Sequence, residues 1–180
     1  MAIDTSCPSV QLNPLQMSGL SLSIVAFPQL TFWVKEANLP DITLQEVNIS
    51  TPLSDIPFHG DKLQFGSLDV RILVDEYMNN YYNLFKWITL VGFPNDYTEV
   101  DQWRKKNNNL YPFFKDTELN LVTDIRLEIK GANSETVRVV VYEDAVITSL
   151  GSISFADEST DTQYATFNVS FKFRQFRFVD

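Results

Sequence analysis

Residues 55–76, DIPFHGDKLQFGSLDVRILVDE, decide the fold. Their apolar positions first change parity within a strand pattern and then change from the period of a strand to that of a helix. Strict alternation of apolar and polar residues indicates a strand with one buried face. The parity of the apolar positions changes at Gly66-Ser67, and an extra residue at a glycine is typical of a β-bulge. The apolar positions are Leu63 and Phe65 before the change and Leu68, Val70, Ile72 and Val74 after it.

The second change follows Val74, where the apolar spacing becomes that of a helix. Tyr77, Tyr81, Leu84, Phe85, Ile88 and Val91 share one helical stripe, and Gly92-Phe93-Pro94 ends it. Asp75 then stands where an N-cap belongs, and Glu76 favours the positive end of the helix dipole. The alternative, a catalytic carboxylate pair, needs a third group that the sequence does not offer at readable spacing.

The composition favours one folded, β-rich domain. The 180 residues are 44% hydrophobic and include 14 Phe and 7 Tyr, which suits strands better than a helical bundle. This length is enough to bury one core. We expect residues 1–18 to form an extended arm, because they contain Pro8 and Pro14 without any period, and residues 19–180 to form the domain.

Further strand patterns lie on both sides of the helix. Alternation predicts strands at 20–27, 30–37 and 42–49, and again at 119–130, 136–145 and 165–173. The Pro-containing segment 48–62 and the polar segment 95–118 are predicted as long loops. Trp103, Phe113 and Phe114 in the second segment need cover, either by packing within their own domain beneath the loop or by burial against another chain.

The charge excludes free wrapping of nucleic acid. The chain has 14 basic and 23 acidic residues, a formal charge of −9, whereas neutralising phosphates needs a basic surface. The N-terminus lacks the features of a signal peptide, and no stretch is apolar enough to span a membrane. The single cysteine, Cys7, has no intramolecular partner. These features predict a soluble protein made in a reducing cytoplasm.

Motifs for catalysis are missing from the sequence. It contains no phosphate-binding glycine loop, nucleophile elbow or zinc-binding helix motif, and its one histidine, His59, lies in a turn-like segment. We therefore expect no enzyme activity, no cofactor and no metal.

The order of elements resembles the tail tube proteins of contractile-tailed bacteriophages over about residues 20–178. Three features carry this resemblance. They are the Leu39-Pro40 step before a strand, Gly60-Asp61 before the strand that ends at Asp75-Glu76, and the closing segments TSLGSISFADES (148–159) and QYATFNVSFKF (163–173).

The resemblance implies a β-sandwich or barrel-like subunit with one helix, six of which form a ring whose strands join into a continuous barrel. Stacked rings would form the tail tube of a virion, assembled in the host cytoplasm. The implied partners are further copies of the chain, a sheath protein outside, tape-measure protein and DNA inside, and baseplate or terminator proteins at the ends.

Two groups of residues acquire roles from this resemblance. Axial contacts between rings must come from loops, and we expect the 48–62 loop to supply Pro52, Leu53, Ile56, Pro57 and Phe58. An acidic lumen would let DNA slide without binding. The candidates for its wall or rim are Asp124, Glu128, Asp157, Glu158 and Asp161, unless they only keep the subunit dispersed in solution.

Three other interpretations stay open at this point. The chain could be a baseplate-side initiator or head-side terminator of the tube. It could be a carbohydrate-binding module of a phage fibre, with Trp103, Tyr111 and Phe113 as the clustered aromatics. A magnesium-dependent nuclease built on Asp75 and Glu76 is disfavoured, because a third acid or a catalytic lysine is not apparent.

Overall fold

The computed structural model of the chain describes residues 15, 18–28, 32–92, 122–155 and 164–179. Within these ranges it contains nine strands and one helix. They are β1 (Gly19–Ile24), β2 (Phe32–Ala37), β3 (Ile42–Ser50), β4 (Asp55–Phe65), β5 (Leu68–Leu73), α1 (Asn79–Gly92), β6 (Thr123–Lys130), β7 (Thr136–Leu150), β8 (Thr166–Lys172) and β9 (Gln175–Val179). None of the described helices is long and apolar enough to cross a membrane.

Six of the strands close into an antiparallel barrel. The strand order is β6-β1-β2-β5-β8-β7, and β6 also pairs with β7. Closure pairs both sides of these strands, so the barrel keeps few free edges. The mainly β fold with one helix that the sequence predicts is therefore confirmed for the described residues, and the sheet is a closed barrel.

Alternation along the strands fills the barrel with apolar side chains. In β8, Phe167, Val169 and Phe171 are buried, while Asn168 and Lys172 between and after them are exposed. The same pattern places Leu68, Val70 and Ile72 of β5 inside. The core therefore lies within the barrel, and polar side chains cover the outside of β5 and β8.

The helix α1 packs on the core through a face centred on Leu84 and Trp87. The Trp87 ring lies 5.9 Å from that of Phe27 and 6.1 Å from that of Phe171, centroid to centroid. Phe85, which the sequence places on the buried stripe, is exposed, as is Tyr77. The buried face runs along Asn80, Leu84 and Trp87, so Phe85 lies beside it, and Tyr77 precedes the first helical residue, Asn79.

The parity change at Gly66 is a boundary between two strands, and the predicted bulge there is wrong. β4 ends at Phe65 and β5 begins at Leu68. β4 belongs to a separate two-stranded sheet with β3, so the two apolar sets face different surroundings. A Cβ atom on Gly66 would come within 1.8 Å of the Asp41 carboxylate. The residue after β4 therefore lies very close to the residue before β3.

Two further strand boundaries differ from the prediction. β7 continues through Leu150, because residues 146–150 pair with β8 and are not a connection. After a bend at Phe173-Arg174, the chain resumes as β9, which continues along β7 with Val139 opposite Val179. The chain therefore begins a new strand at Gln175, beyond the predicted strand at 165–173.

Candidate assembly surface

A long β-hairpin, formed by β3 and β4, extends the β2–β5 strand pair beyond the barrel. All nine residues of β3 are exposed, and most of β4 is exposed as well. The predicted loop at 48–62 is wrong, because both sides of this segment are strands joined by a turn at 51–54. The prolines led to the loop prediction, but a strand tolerates proline at an unpaired edge. Pro57 lies in β4 opposite Asn48, and the other side of β4 is unpaired among the described strands.

The hairpin carries large apolar side chains that its own domain does not cover. Exposed pairs face each other across the hairpin, with Leu44 opposite Leu63 and Ile49 opposite Ile56. Leu53 at the turn is 98% exposed. The exposed apolar residues of the hairpin are Ile42, Leu44, Val47, Ile49, Leu53, Ile56, Phe58 and Leu63. This number of exposed apolar side chains on one element is typical of an interaction surface.

The turn and the middle of the hairpin have defined local structure. At the turn, the Thr51 and Ser54 main chains are joined by a hydrogen bond of 3.0 Å from Thr51 N–H to the Ser54 carbonyl. In the middle, the register shifts between Leu44 and Glu46. A Cβ atom on Gly60 would lie 2.4 Å from the Gln45 carbonyl oxygen, so this close approach needs glycine. His59 lies opposite Glu46 at this irregularity.

The base of the hairpin is held by an aromatic cluster. The Phe65 ring lies 5.9 Å from that of Phe173 and 5.6 Å from that of Phe176, and the Tyr142 ring packs edge-on against Phe173 and at a tilt against Phe176. Burial raises the pKa of Tyr142, and its hydroxyl has no hydrogen-bond partner among the described residues. The cluster anchors the exposed hairpin to β7 and β9.

Asp75 and Glu76 do not cap the helix, so the predicted capping role is wrong. The chain makes a turn in which the Met78 N–H donates to the Asp75 carbonyl, and Met78 has a positive φ of 56°. This turn separates the two carboxylates from the first helical residue, Asn79, and the first turn of α1 has no acidic residue. In the described ranges, no three His, Cys, Asp or Glu side chains gather as metal ligands would.

Asn80, which the sequence analysis missed, ties the helix start to β5. Its side-chain amide donates to the Leu73 carbonyl at 2.7 Å, and its Oδ1 accepts from the Asp75 N–H at 3.2 Å. The side chain is buried. A polar residue inside an apolar helical stripe was the available signal, since a buried amide needs partners.

We expect Asn80→Ala to lower the free energy of unfolding by about 1–3 kcal/mol, because it leaves the Leu73 carbonyl and the Asp75 N–H without this partner. Asp75→Ala is the matched control, and we expect it to change stability by less than about 0.5 kcal/mol. Urea denaturation followed by circular dichroism measures both. Equal losses in the two variants would contradict this assignment.

A charged clasp fastens β9 to β7 at the bend between β8 and β9. Glu143 accepts hydrogen bonds from Gln175 Nε2 at 2.6 Å, Arg177 Nε at 3.0 Å and Arg174 Nη2 at 3.0 Å. Arg174 Nε also lies 2.8 Å from Asp144 Oδ2. The hydrogen bond from Gln175, with that of Arg177 and the positive charges of both arginines, lowers the pKa of the Glu143 carboxyl.

This clasp predicts a pH-dependent contribution to stability. A carboxyl whose pKa is lower in the folded chain stabilises the fold fully above its unfolded pKa and loses that effect as the pH falls through the folded pKa. We expect Glu143→Gln to melt below the wild type at pH 7 and the gap to close in the acid range below the ordinary glutamate pKa. Thermal melts from pH 7 to pH 3 measure it, with Glu135→Gln as the control. A gap that stays constant with pH would contradict the clasp.

The acidic residues predicted for the wall or rim of the lumen do not gather in one cluster within the described residues. Asp124 and Glu128 lie partly buried on the outward side of β6, with exposed Arg126 between them. Asp124 Oδ1 accepts from the Asp144 N–H at 3.1 Å, and Glu128 accepts from the Ser21 hydroxyl at 3.1 Å. Asp157, Glu158 and Asp161 lie outside the described residues, as do the 95–118 segment and most of the 1–18 arm.

Comparison with solved structures shows which proteins share this fold. The tube-terminating cap of the anti-feeding prophage matches with a TM-score of 0.62 and 15% identity, covering 99% of each chain. The sheath/tube terminator of the PVC extracellular contractile injection system matches at 0.60 and 16%, covering 93% of this chain and 98% of that one. A chain of the PVC sheath-tube complex matches at 0.56 and 16%, covering 99% of each.

No protein-family profile matches the sequence, and no curated protein matches it. The structural likeness nevertheless covers almost the whole chain, and it confirms the tail-tube type of fold that the sequence resemblance predicts. The chain has the fold of the tube and terminator proteins of contractile injection systems.

Proposed function

We propose that this chain is a structural subunit that forms rings in a contractile tail or injection system. The rings either stack into the tube or terminate it. The observation that carries the proposal is the largely exposed hairpin with its apolar side chains, on a barrel of the tube type. An isolated monomer gains nothing from such a surface, whereas an assembly buries it.

The hairpin supplies the axial contact between rings in this proposal. Leu53, Ile56 and Phe58 lie at its far end, away from the aromatic cluster at its base. Pro52 and Pro57 restrict the chain there, so that docking costs less conformational entropy. Each ring would place this end on the next ring, and six subunits per ring is the number implied by the sequence resemblance.

The finer roles concern the inside and outside of the tube. We propose that polar outer faces of barrel strands line a lumen for DNA and tape-measure protein, with Asp124 and Glu128 among its wall charges. A sheath protein outside and baseplate or terminator proteins at the ends complete the set of partners. No catalytic step is part of this role.

A tube terminator is the second candidate, and the likeness in fold to two terminator structures, which covers 99% and 93% of this chain, supports it. The two roles differ in whether a ring accepts another copy of itself on both faces. A tube subunit propagates by repeating one axial contact, whereas a terminator does not repeat it.

We expect the purified chain to sediment as a ring-sized oligomer, because its exposed hairpin is covered only by association. Sedimentation velocity at tens of micromolar measures this, and the length of any tubes separates the tube subunit from the terminator. A folded chain that stays monomeric throughout this range would contradict the proposal.

A further inference from the structure

One edge of the strand β3 has no strand partner among the described residues, because β3 pairs only with β4 there. The β2–β5 ladder runs on into the hairpin: the Asn38 N–H donates to the Asp69 carbonyl at 3.1 Å, and the Gly66 N–H donates to the Asp41 carbonyl at 3.0 Å. The free edge of β3 therefore continues the edge of β2 along which β1 lies. Such an edge presents a row of N–H and C=O groups, which another extended strand satisfies in series.

The N-terminal arm, residues 1–18, leaves the barrel beside this edge. β1 runs antiparallel to β2, so the chain that precedes β1 leads in the same direction as the passage from β2 to β3. Ser18 is held at this point, because its N–H donates to the Lys130 carbonyl at 3.0 Å. In an extended conformation residues 1–17 span about 56 Å, whereas residues 38–50 need about 44 Å. The arm is therefore long enough to follow β3 to its end.

The pairing of β1 with β2 gives a register for the arm. Opposed residues in this pair, such as Leu20 and Val34, have numbers that sum to 54. The same register along β3 places apolar residues opposite apolar ones and polar residues opposite polar ones, and opposed residues share one face of a sheet. The apolar pairs are Leu12–Ile42, Val10–Leu44 and Cys7–Val47, and the polar pairs are Asn13–Asp41, Gln11–Thr43 and Ser6–Asn48.

Neighbouring registers lose this match. A shift of one residue in either direction places Val10 opposite Thr43 or Gln45, both of which are polar. Because β2 and β3 each contain a shift of register against their other neighbours, the match of side chains decides the register more firmly than counting does. Pro8, opposite Glu46, is outside the match, and an outermost strand tolerates proline because its outer N–H groups are unpaired.

We propose that residues 4–13 pair with the free edge of β3 in their own chain and form the third strand of the hairpin sheet. A two-stranded hairpin is marginally stable alone, and a third strand stabilises it. The covered edge of β3 no longer recruits stray strands, while the turn at Leu53 stays available for assembly. The inference concerns the single subunit and goes beyond the proposed ring-forming function.

Cysteine pairing within the chain tests this strand. In a Cys7→Ser background, Val10→Cys is combined in turn with Thr43→Cys, Leu44→Cys and Gln45→Cys. Opposed residues bring their Cβ atoms to about 4.5–5.5 Å, close to the separation in a disulfide, whereas neighbouring residues point to the other face. Under mild oxidation we expect a disulfide yield about tenfold higher with Leu44→Cys than with either neighbour.

A mixture of ¹⁵N-labelled and unlabelled chains shows whether the disulfide joins a chain to itself. We expect cross-linked peptides in which both halves carry the same label, and we expect no cross-link in the control that combines Val10→Cys with Tyr82→Cys on the exposed side of α1. Absence of the disulfide, equal yields at the three positions, a maximum at Thr43 or Gln45, or peptides of mixed label would overturn this inference. Sedimentation of the reduced samples measures ring formation separately, so the proposed function is decided independently.

Removal of the arm gives a second readout. We expect deletion of residues 1–14 to quicken amide exchange in β3 by about tenfold, at the N–H groups directed away from β4, and to leave exchange in β7 unchanged. Val10→Asp with Leu12→Asp should reproduce this effect, because it places carboxylates opposite apolar residues, whereas Gln11→Ser should not. Unchanged exchange in β3 after the deletion would overturn the pairing of the arm with this edge.

Discussion

Shortening the hairpin in register is expected to leave a folded subunit that forms rings but does not elongate into tubes. The variant removes residues 47–58 and joins Glu46 to His59, which lie opposite each other, with a short Gly-Ser turn. It deletes the exposed far end, including Leu53, Ile56 and Phe58, and leaves the aromatic cluster at the base intact. The barrel should therefore keep its stability, while the axial contact is lost. Negative-stain microscopy measures tube length.

A point variant and a matched control sharpen this test. Leu53→Ser with Phe58→Thr removes apolar contact without changing chain length and should shorten tubes in the same way. Tyr82→Ser removes a comparably exposed aromatic side chain from α1 and should leave tube length unchanged. Tubes of normal length from the shortened hairpin would remove the stacking role from it.

Trp87→Ala is expected to lower the free energy of unfolding by about 3–5 kcal/mol, as large-to-alanine changes at buried aromatic sites do. The Trp87 side chain is 1% exposed and packs between Phe27 and Phe171. Because the free energy of unfolding of a domain of this kind is about 5–15 kcal/mol, the variant should lose a large part of it. Urea denaturation followed by far-UV circular dichroism, which reports the backbone, measures the change.

The adjacent residue serves as the control for this prediction. Lys86 is exposed and lies 4.2 Å above the Tyr82 ring. Such an exposed contact contributes little, so Lys86→Ala should change stability by about 1 kcal/mol or less. If Trp87→Ala were as mild as Lys86→Ala, the helix would not be part of the core.

The sequence predicts the barrel strands well, because each has one face against the core. Alternation in β1, β5 and β8 follows directly from this one-sided burial. Barrel closure itself depends on the pairing of β6 with both β1 and β7. The β6–β7 pair is a hairpin of consecutive strands, but the β1–β6 pair joins distant residues such as Leu20 and Ile129, so no local pattern reports it.

The hairpin and the helix start show where local patterns fail. Pro52, Pro57 and Gly60 mark a loop in most sequences, yet a two-stranded hairpin with both faces exposed tolerates them. The apolar residues of the hairpin are covered by no part of its own domain that the structure describes, so a pattern of burial could not locate it. Before the helix, Met78 has a positive φ and lies in a turn between β5 and α1. The spacing of apolar residues does not reveal this turn, so Asp75 was predicted as the helix cap.

The most direct measurement of the ring-forming role is electron microscopy of the purified, full-length chain, with class averages of end-on views. The proposed function predicts closed rings of six subunits around an open centre, either single or stacked. Compact particles of single-subunit size, from protein that is folded by circular dichroism at the same concentration, would contradict it.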